Sequence, residues 1–244
     1  MADFSNLAAI IDIHEPSGRL WKRIRREMQR GGFLRFLDVL AFRFYYRLAI
    51  ASKDHAWTER KLAELKAQYP DIPASCRILV TPSPNSTECL NLLREMKPDI
   101  IIARCKSILK KDIFRSAATG TFVMHPGICP EYRNAHGCFW ALAENDLDNV
   151  GMTLLKIDEG VDTGPVYGYY GCALDEVNES HLVIQDRVVF DNLPDLRAKF
   201  EEIQAGSAKT IDTSGRKSKA WGQPWLSSYL RWKRAARKRA GRTS

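Results

Sequence analysis

The sequence predicts an α/β fold: a doubly wound, mostly parallel sheet with a helical N-terminal segment and a basic C-terminal tail. From residue 77 onward, short apolar strands alternate with helical segments at the spacing of β-α-β units, which place their strands in parallel. The chain has 244 residues and is 45% hydrophobic, enough for one sizeable core, whereas a second full domain would be cramped.

The N-terminal third is predicted to contain one strand and three helices. Leu7–Ile13 is apolar enough for a short buried strand, followed by a turn at residues 14–18. Residues 19–30 form a basic helical segment, and Trp57–Tyr69 is a helix that stops before Pro70. Residues 33–48 have helical periodicity, and their predicted buried face consists of Phe33, Leu34, Leu37, Leu40, Ala41, Phe44 and Leu48.

The rest of the chain is predicted to supply the sheet and its covering helices. The predicted strands are Arg77–Thr81, Asp99–Ala103, Thr121–Met124, Met152–Ile157 and Val166–Cys172. The predicted helices are Thr87–Met96, Lys111–Ala117, Gly137–Glu144, Ser180–Asp191 and Asp195–Ala205. Ligands of doubly wound sheets bind beyond the carboxyl ends of the strands. A site is therefore expected in the segments after Ala103, Met124 and Ile157.

The net charge of +8 is distributed unevenly along the chain. Residues 216–244 contain ten Lys and Arg and no acidic residue, so residues 1–215 carry a formal charge of −2. A second basic block lies at residues 19–47. Solvated helix faces are the commoner explanation of such blocks, but the basic tail is also a candidate contact for an anionic surface or RNA.

Cysteine usage and hydropathy indicate the class of protein. The six cysteines form no C-x-x-C pair and no His lies at zinc spacing, so no metal site is expected. No apolar run reaches the roughly 18–20 residues of a transmembrane segment, and residues 1–14 lack the features of a signal peptide, so a cytoplasmic protein is expected. Cys129 and Cys138 are either packing thiols or nucleophiles activated by His125 or His136.

Three segments that follow predicted strands carry the candidate chemistry. The first is ARCKSIL at residues 103–109. The second is HPGICPEYRN at residues 125–134, followed by GCFWAL at residues 137–142. The third begins with Gly-Met-Thr at residues 151–153 and continues, after a strand, with DEGVDTGP at residues 158–165.

In this order, the segments resemble the 10-formyltetrahydrofolate-dependent formyltransferases, which include methionyl-tRNA, glycinamide ribonucleotide and sugar N-formyltransferases. That family's pattern is a His-Pro segment ending in a Pro-x-Tyr-Arg-Gly-like loop, a helix with Trp-Ala-Leu/Ile, then Gly-x-Thr and Asp-x-Gly-x-Asp-x-Gly. The resemblance covers residues 76–172, about 40% of the chain. It implies a Rossmann-like formyltransferase fold, with a catalytic domain over residues 1–206 and a basic, aromatic-containing extension over residues 207–244.

The resemblance implies transfer of a formyl group from 10-formyltetrahydrofolate to an amine of a small molecule such as an amino sugar. His125 is the implied acid/base and electrophilic group, since imidazole titrates near neutral pH. Asp162 is implied to hold this imidazole and to favour its cationic form. The implied cofactor-binding residues are Ser107, Ile108, Leu109, Asp158, Glu159, Gly160 and Val161. The implied acceptor-binding residues are Tyr132, Arg133, Asn134 and His136.

Two features depart from the family's pattern. Val123 stands where the family has an Asn. The side chain of that Asn donates a hydrogen bond to the oxygen that becomes negative in the tetrahedral state, and loss of one such donor typically lowers the rate about 10²–10³-fold. Asn134, where the family has Gly, is a candidate replacement. The family's opening strand has no evident counterpart, because Leu7–Ile13 suits the family's second strand better.

These departures leave alternatives to formyl transfer open. One is formyltetrahydrofolate hydrolysis, and another is a non-catalytic folate- or nucleotide-sugar-binding protein. Formylation of tRNA is disfavoured because only a short stretch follows residue 205. A phosphorylated acceptor of the glycinamide ribonucleotide type is disfavoured because the sequence has no glycine-rich phosphate loop. The oligomeric state is not predicted.

Overall fold

The computed structural model describes residues 3–14 and 20–243 and has the predicted α/β character. Part of the predicted turn, residues 15–18, lies outside this range. The strands are β1 (Ala9–Ile13), β2 (Arg77–Thr81), β3 (Ile100–Ala103), β4 (Gly120–His125), β5 (Arg133–Asn134), β6 (Met152–Lys156), β7 (Val166–Tyr170) and β8 (Ala220–Trp221). The helices are α1 (Leu20–Ala49), α2 (Ala51–Gln68), α3 (Thr87–Met96), α4 (Lys111–Phe114), α5 (Gly137–Ala143), α6 (His181–Phe190), α7 (Leu193–Gln204) and α8 (Leu226–Thr243).

Part of the predicted parallel order is present, but strand β6 of the main sheet runs opposite to the other strands of that sheet. The main sheet has the order β3-β4-β6-β7, and β1 and β2 form a separate parallel pair. Strand β3 is parallel to β4, whereas β6 is antiparallel to both of its neighbours. Only residues 157–165 connect β6 to β7, fewer than the dozen or so that a parallel crossover needs.

The predicted buried face of α1 is wrong. Phe33, Leu34 and Leu48 are 62%, 81% and 85% exposed, whereas Val39 and Phe42 are buried. The face that is buried repeats at helical spacing as well, so the sequence period alone could not choose between two apolar faces. Tertiary contacts decide the choice, because helix α8 and the residues before it pack against the buried face of α1.

The contacts between α1 and the C-terminal segment are specific. The ring of Phe42 lies 5.3 Å from that of Tyr229, and the Arg35 guanidinium lies 4.2 Å from the ring centre of Trp225. The backbone N–H of Ser227, near the start of α8, donates to the Asp38 carboxylate at 3.0 Å. These contacts hold the face of α1 that contains Phe42 against the rest of the protein.

The main core lies between the sheet and helices α5, α6 and α8. Every residue of α5 is buried, which explains the uninterrupted apolar and small residues in its sequence. Tyr229 and Trp232 of α8 are 4% and 1% exposed and join the same core cluster as Phe122 of β4 and Phe139 of α5. The C-terminal extension is therefore part of the packed protein and not a free tail. None of the described helices has the length and apolar character needed to cross a membrane.

Candidate active site

The imidazole of His125 and the carboxylate of Asp162 meet although 36 positions separate them. His125 is the last residue of β4, and Asp162 lies in the loop between β6 and β7. His125 Nδ1 is 3.5 Å from Asp162 Oδ2, an ion-pair distance, and the two side chains are 5% and 15% exposed. Low exposure removes competing water, which strengthens an electrostatic contact of this kind.

The loop that carries Asp162 must fold back to reach His125. Because β6 is antiparallel to β4, its last residue, Lys156, pairs with Phe122 and not with His125. The return is tight at Gly164, where a Cβ atom would lie 1.9 Å from the Lys156 carbonyl oxygen. A side chain at Gly164 would therefore force this loop away from the sheet.

Asp162 is held in place by the loop that follows His125. Its backbone has a φ of 53°, in the left-handed region that only a minority of non-glycine residues adopt. Its Oδ2 atom accepts a 2.8 Å hydrogen bond from the backbone N–H of Asn134. The guanidinium of Arg133 donates to the Val161 carbonyl at 2.9 Å, so two adjacent residues join the loops on either side of the His125–Asp162 pair.

The second nitrogen of His125 is also engaged. Its Nε2 atom lies 2.8 Å from the Tyr132 carbonyl oxygen, which can only accept, so Nε2 carries the proton of this hydrogen bond. The imidazole is therefore oriented by a backbone group on one side and faces the Asp162 carboxylate on the other.

The loop around His125 depends on Thr153 and on two glycines, to which the sequence reasoning assigned no role. The fully buried Thr153 hydroxyl donates to the Gly127 carbonyl at 2.7 Å and accepts from the Cys129 N–H at 2.9 Å. Gly127 and Gly137 are in direct backbone contact, since a Cβ at Gly137 would lie 2.4 Å from Gly127 Cα. The Gly-x-Thr segment was the available sequence signal for Thr153.

The implied cofactor segment at residues 107–109 is held by Asn85, which the sequence reasoning missed. The Asn85 side chain donates to the Ile108 carbonyl at 2.9 Å and accepts from the Lys110 N–H at 2.7 Å. Cys105 Sγ donates to the Ser107 carbonyl at 3.3 Å, and Leu109 packs against the α3–α4 cluster. Ile108 is left 77% exposed, an apolar side chain presented at the surface of a braced loop.

Two implied cofactor residues, Asp158 and Gly160, shape their own loop. The Asp158 carboxylate accepts hydrogen bonds from the Gly160 N–H at 2.9 Å and from the Thr163 hydroxyl at 2.8 Å. A Cβ at Gly160 would lie 2.0 Å from Thr163 Oγ1. Asp158 therefore makes a turn, and Gly160 leaves space for it.

Glu159 brings the two implied cofactor segments together. Its carboxylate lies 2.8 Å from Nζ of Lys111, the first residue of α4, and 3.1 Å from the guanidinium of Arg115, which directly follows α4. The hydrogen bond from Lys111 and the positive charges of Lys111 and Arg115 lower the pKa of Glu159. Val161, on the same loop, is 43% exposed.

The implied acceptor-binding residues have different environments. Tyr132 is 5% exposed, its hydroxyl donates to Asp146 at 2.7 Å and its ring stacks on Trp221. The Asn134 side-chain amide donates to the Trp221 carbonyl. His136 directly precedes α5, and its Nδ1 atom is buried without a hydrogen-bond partner.

Residues 216–223 also contribute to the site, which the sequence reasoning did not predict. The Arg216 guanidinium binds the Glu131 carboxylate through two contacts of 2.9 and 2.7 Å and donates to the Tyr169 hydroxyl. Strand β8 pairs in parallel with β5, and Trp221 of β8 lies opposite Asn134 of β5, whose N–H binds Asp162. Trp221 stacks on Trp140 at 4.7 Å. The beginning of the extension thus covers the loop that holds His125.

The two cysteines near the site are packing residues. Cys129 and Cys138 are 2% and 0% exposed. Burial raises the pKa of each thiol to about 12, so neither forms a thiolate nucleophile near neutral pH. Within the described part of the chain, no cluster of three or more His, Cys, Asp or Glu side chains is arranged to hold a metal ion.

Comparison with known proteins identifies the family. The Formyl transferase family matches residues 48–193, more than half of the chain. The methionyl-tRNA formyltransferase of Kosmotoga olearia is 40% identical over 85 residues, which are 34% of this chain and 27% of that protein. That of Anaeromyxobacter sp. is 37% identical over 75 residues, 30% and 24% of the two chains. The chain thus spans about a quarter of the length of these curated relatives.

Solved structures agree with this result at the level of the fold. A sugar N-formyltransferase from Shewanella sp. superimposes with a TM-score of 0.51 and 13% identity, covering 89% of this chain and 77% of that one. HypX from Aquifex aeolicus superimposes with a TM-score of 0.51 and 19% identity, covering 71% and 32% of the two chains. The predicted fold class is confirmed, and the chain belongs to the formyl transferase family.

Proposed function

We propose that this protein transfers a formyl group from 10-formyltetrahydrofolate to an amine of a small molecule such as an amino sugar. The observation that carries the proposal is the buried contact of 3.5 Å between His125 Nδ1 and Asp162 Oδ2, within a chain of the formyl transferase family. The formyl donor supplies an activated one-carbon group, and the protein must orient the amine, move its proton and stabilise the charge on the formyl oxygen.

His125 is proposed to act through its Nδ1 edge. Since Nε2 is bound to the Tyr132 carbonyl, the edge next to Asp162 is the one left for the reacting groups. There an imidazole N–H can donate to the formyl oxygen as the amine attacks, or the nitrogen can accept the proton that the amine loses. Asp162 is proposed to hold the ring and to balance its positive charge.

The loops at residues 107–109 and 158–161 are proposed to hold the folate. Their residues fit such a ligand because Ile108 and Val161 offer exposed apolar surface while hydrogen bonds and ion pairs brace the loop backbones. The Glu159 pair with Lys111 keeps the two loops adjacent. In this proposal Asp158 and Gly160 act by shaping their loop.

The acceptor is proposed to lie along residues 133–136, beside Asp162. Arg133, Asn134 and His136 provide the polar groups of this segment, whereas Tyr132 contributes its carbonyl to His125 and its buried ring to packing. The Asn134 amide donates one of its two N–H groups to the Trp221 carbonyl, and the second N–H is proposed as the donor that compensates for Val123.

The experiment is a formyl-transfer assay with purified full chain, 10-formyltetrahydrofolate and a panel of amino sugars and small biosynthetic amines. Formylated amine that disappears in the His125→Ala variant supports the proposal. Formate release in the absence of any amine would instead identify a hydrolase. Tight tetrahydrofolate binding without turnover on any amine would identify a binding protein, and turnover unchanged in His125→Ala would refute the role of this residue.

A further inference from the structure

Helix α1 presents an uncovered apolar surface over residues 33–48. The large apolar side chains on one of its faces are between 43% and 85% exposed and recur at the spacing of one side of a helix. The opposite side of α1, which contains Val39 and Phe42, is buried against the rest of the protein. An exposed apolar surface of this extent is typical of an interaction site. We call its large exposed residues the apolar stripe: Phe33, Leu34, Leu37, Phe44 and Leu48.

Positive charge lies along the apolar stripe on α1 itself. Arg43 and Arg47 each directly precede a residue of the stripe, and both arginines are exposed. Because they are four residues apart, they lie on the same side of the helix, at one edge of the stripe. Asp38, the one acidic residue between positions 33 and 49, is bound to the start of α8. The surface next to the stripe is therefore cationic.

Helix α8 adds further positive charge beside α1. The two helices are in direct contact, since the ring of Tyr45, at the edge of the stripe, lies 5.8 Å from that of Tyr229. Residues 226–243 contain seven Lys and Arg and no acidic residue. The exposed cations of this helix are Arg231, Arg234, Arg237, Lys238 and Arg242. The apolar stripe thus adjoins a helix whose exposed charges are all positive.

An anionic lipid surface fits this combination better than a second copy of the chain. Helices that bind membrane surfaces place Phe and Leu side chains below the head groups, while Lys and Arg beside them contact anionic head groups. A symmetric dimer through α1 would use the same patch on both copies. It would therefore bring two positively charged surfaces together, which is unfavourable.

The aliphatic residues of the stripe also favour lipid over nucleic acid. Phosphate contacts with RNA would account for the cations of α8, and aromatic rings can stack on bases. Leu34, Leu37 and Leu48 can do neither, whereas transfer from water into hydrocarbon would stabilise all three. A lipid bilayer is thus the partner that accounts for both the apolar and the charged side chains.

We propose that the apolar stripe of α1 and the cations beside it bind this protein to the surface of an anionic lipid bilayer. Helix α1 lies in the plane of the interface, with the stripe below the head groups. Arg43 and Arg47 contact the anionic head groups at its edge, and the exposed cations of α8 add electrostatic attraction. This inference does not depend on formyl transfer, because none of these residues belongs to the proposed donor or acceptor site.

The test is co-sedimentation of the purified full chain with vesicles of two compositions. One set contains phosphatidylcholine alone, and the other is an equimolar mixture of phosphatidylcholine and phosphatidylserine. The protein is expected to sediment with the mixed vesicles and much less with the neutral ones. Binding to the mixed vesicles is expected to weaken as salt is added, because salt screens the attraction between the cations and the head groups.

Substitutions in the stripe test its apolar contribution. Phe44→Ser and Leu48→Ser are each expected to weaken binding to the mixed vesicles about tenfold, which corresponds to about 1.4 kcal/mol. Both side chains are exposed, so the unfolding midpoints of the variants should stay close to that of the wild-type protein. Ile72→Ser is the matched control, because Ile72 is 54% exposed between α2 and β2, outside the stripe. It is expected to leave vesicle binding unchanged.

Substitutions of arginine test the contribution of charge. Arg43→Gln and Arg47→Gln are each expected to weaken binding to the mixed vesicles about fivefold, which corresponds to about 1 kcal/mol per cation near an anionic surface. Arg94→Gln is the matched control, because Arg94 is an exposed arginine of α3, a helix that packs against β2 and α4. It is expected to bind the vesicles as the wild-type protein does.

Several outcomes would overturn the proposal. These are no sedimentation with the mixed vesicles, equal binding to both sets of vesicles, or binding that Leu48→Ser leaves unchanged. A dimer that Leu48→Ser dissociates, formed by protein that does not bind vesicles, would assign the stripe to a second copy of the chain. Binding of single-stranded RNA in place of vesicles, weakened in Arg47→Gln and unchanged in Leu48→Ser, would assign the charges to nucleic acid.

Discussion

Replacement of Gly137 by Ala tests whether close backbone contact orients the His125 imidazole. The added Cβ would lie 2.4 Å from Gly127 Cα and 2.7 Å from both the Pro126 and Tyr132 carbonyl oxygens. Since carbon atoms normally approach to about 3.5–4.0 Å, the two segments must separate by roughly 1 Å. All three contacts are with backbone, so no flexible side chain can absorb the change. The Tyr132 carbonyl that binds His125 Nε2 must move with its segment.

The expected effect is larger on activity than on folding. Overpacking of this kind costs about 1–3 kcal/mol of unfolding free energy, and a 1 Å misplacement of a reacting group costs about 10²-fold in rate. Urea unfolding and kcat/KM for formyl transfer measure the two effects. Gly222→Ala is the control, because a Cβ there meets no atom within 4 Å. If Gly137→Ala matches Gly222→Ala in both measurements, the Gly127–Gly137 contact does not orient His125.

Three further predictions concern packing, pH and thiol chemistry. Phe42→Ala is expected to lower the unfolding free energy by about 3–5 kcal/mol, because Phe42 is only 6% exposed. Leu48→Ala is expected to lower it by less than about 0.5 kcal/mol, because Leu48 is 85% exposed. Equal urea midpoints for the two variants would contradict the burial of the Phe42 face of α1. The folded pKa of His136, about 4, lies below its unfolded value of 6.5, so the unfolded state binds more protons and stability falls as the pH drops through this interval. Between pH 7 and pH 4.5, protonation of His136 is expected to lower the unfolding free energy by roughly 2 kcal/mol. Urea unfolding should therefore show a shallower pH dependence in His136→Gln than in the wild-type protein. The same pH dependence in both proteins would contradict the burial of this ring. Cys138, buried and with its pKa raised to about 12, is expected to resist a thiol reagent at pH 8 until urea unfolds the protein, and labelling at the rate of a free thiol would contradict this.

The sequence was most informative where local signals agreed with the fold. Strand β2 and helix α3 have the predicted bounds, because a short apolar run and a helix cap are both local sequence signals. Ser86 is the cap of α3, since its side chain accepts from the Cys89 N–H. The approach of His125 to Asp162 was inferred from a resemblance, and no local pattern could have shown it. It depends on a loop that folds back across an antiparallel strand.

Other features depend on contacts that sequence periodicity does not encode. Both faces of α1 are apolar, and only the position of α8 determines which one is buried. Residues 216–223 were predicted only as part of the basic, aromatic-containing extension, yet Arg216 and Trp221 bind Glu131 from more than 80 positions away. The basic extension also could not be removed without uncovering the core, because Trp232 is 1% exposed. A test of its predicted contact with RNA or an anionic surface should therefore use substitutions of exposed arginines such as Arg231 and Arg234.

The most direct test of the proposed chemistry is single-turnover formyl transfer by the wild-type protein, His125→Ala and Asp162→Asn, with donor and acceptor saturating. Asp162→Asn keeps the size of the side chain and its capacity to accept from the Asn134 N–H, but removes the charge beside His125. We expect His125→Ala to abolish transfer. Asp162→Asn is expected to slow it about 10²-fold or more, because a positioned acid–base pair is lost. Wild-type rates in both variants, with folding intact, would contradict the proposed chemistry.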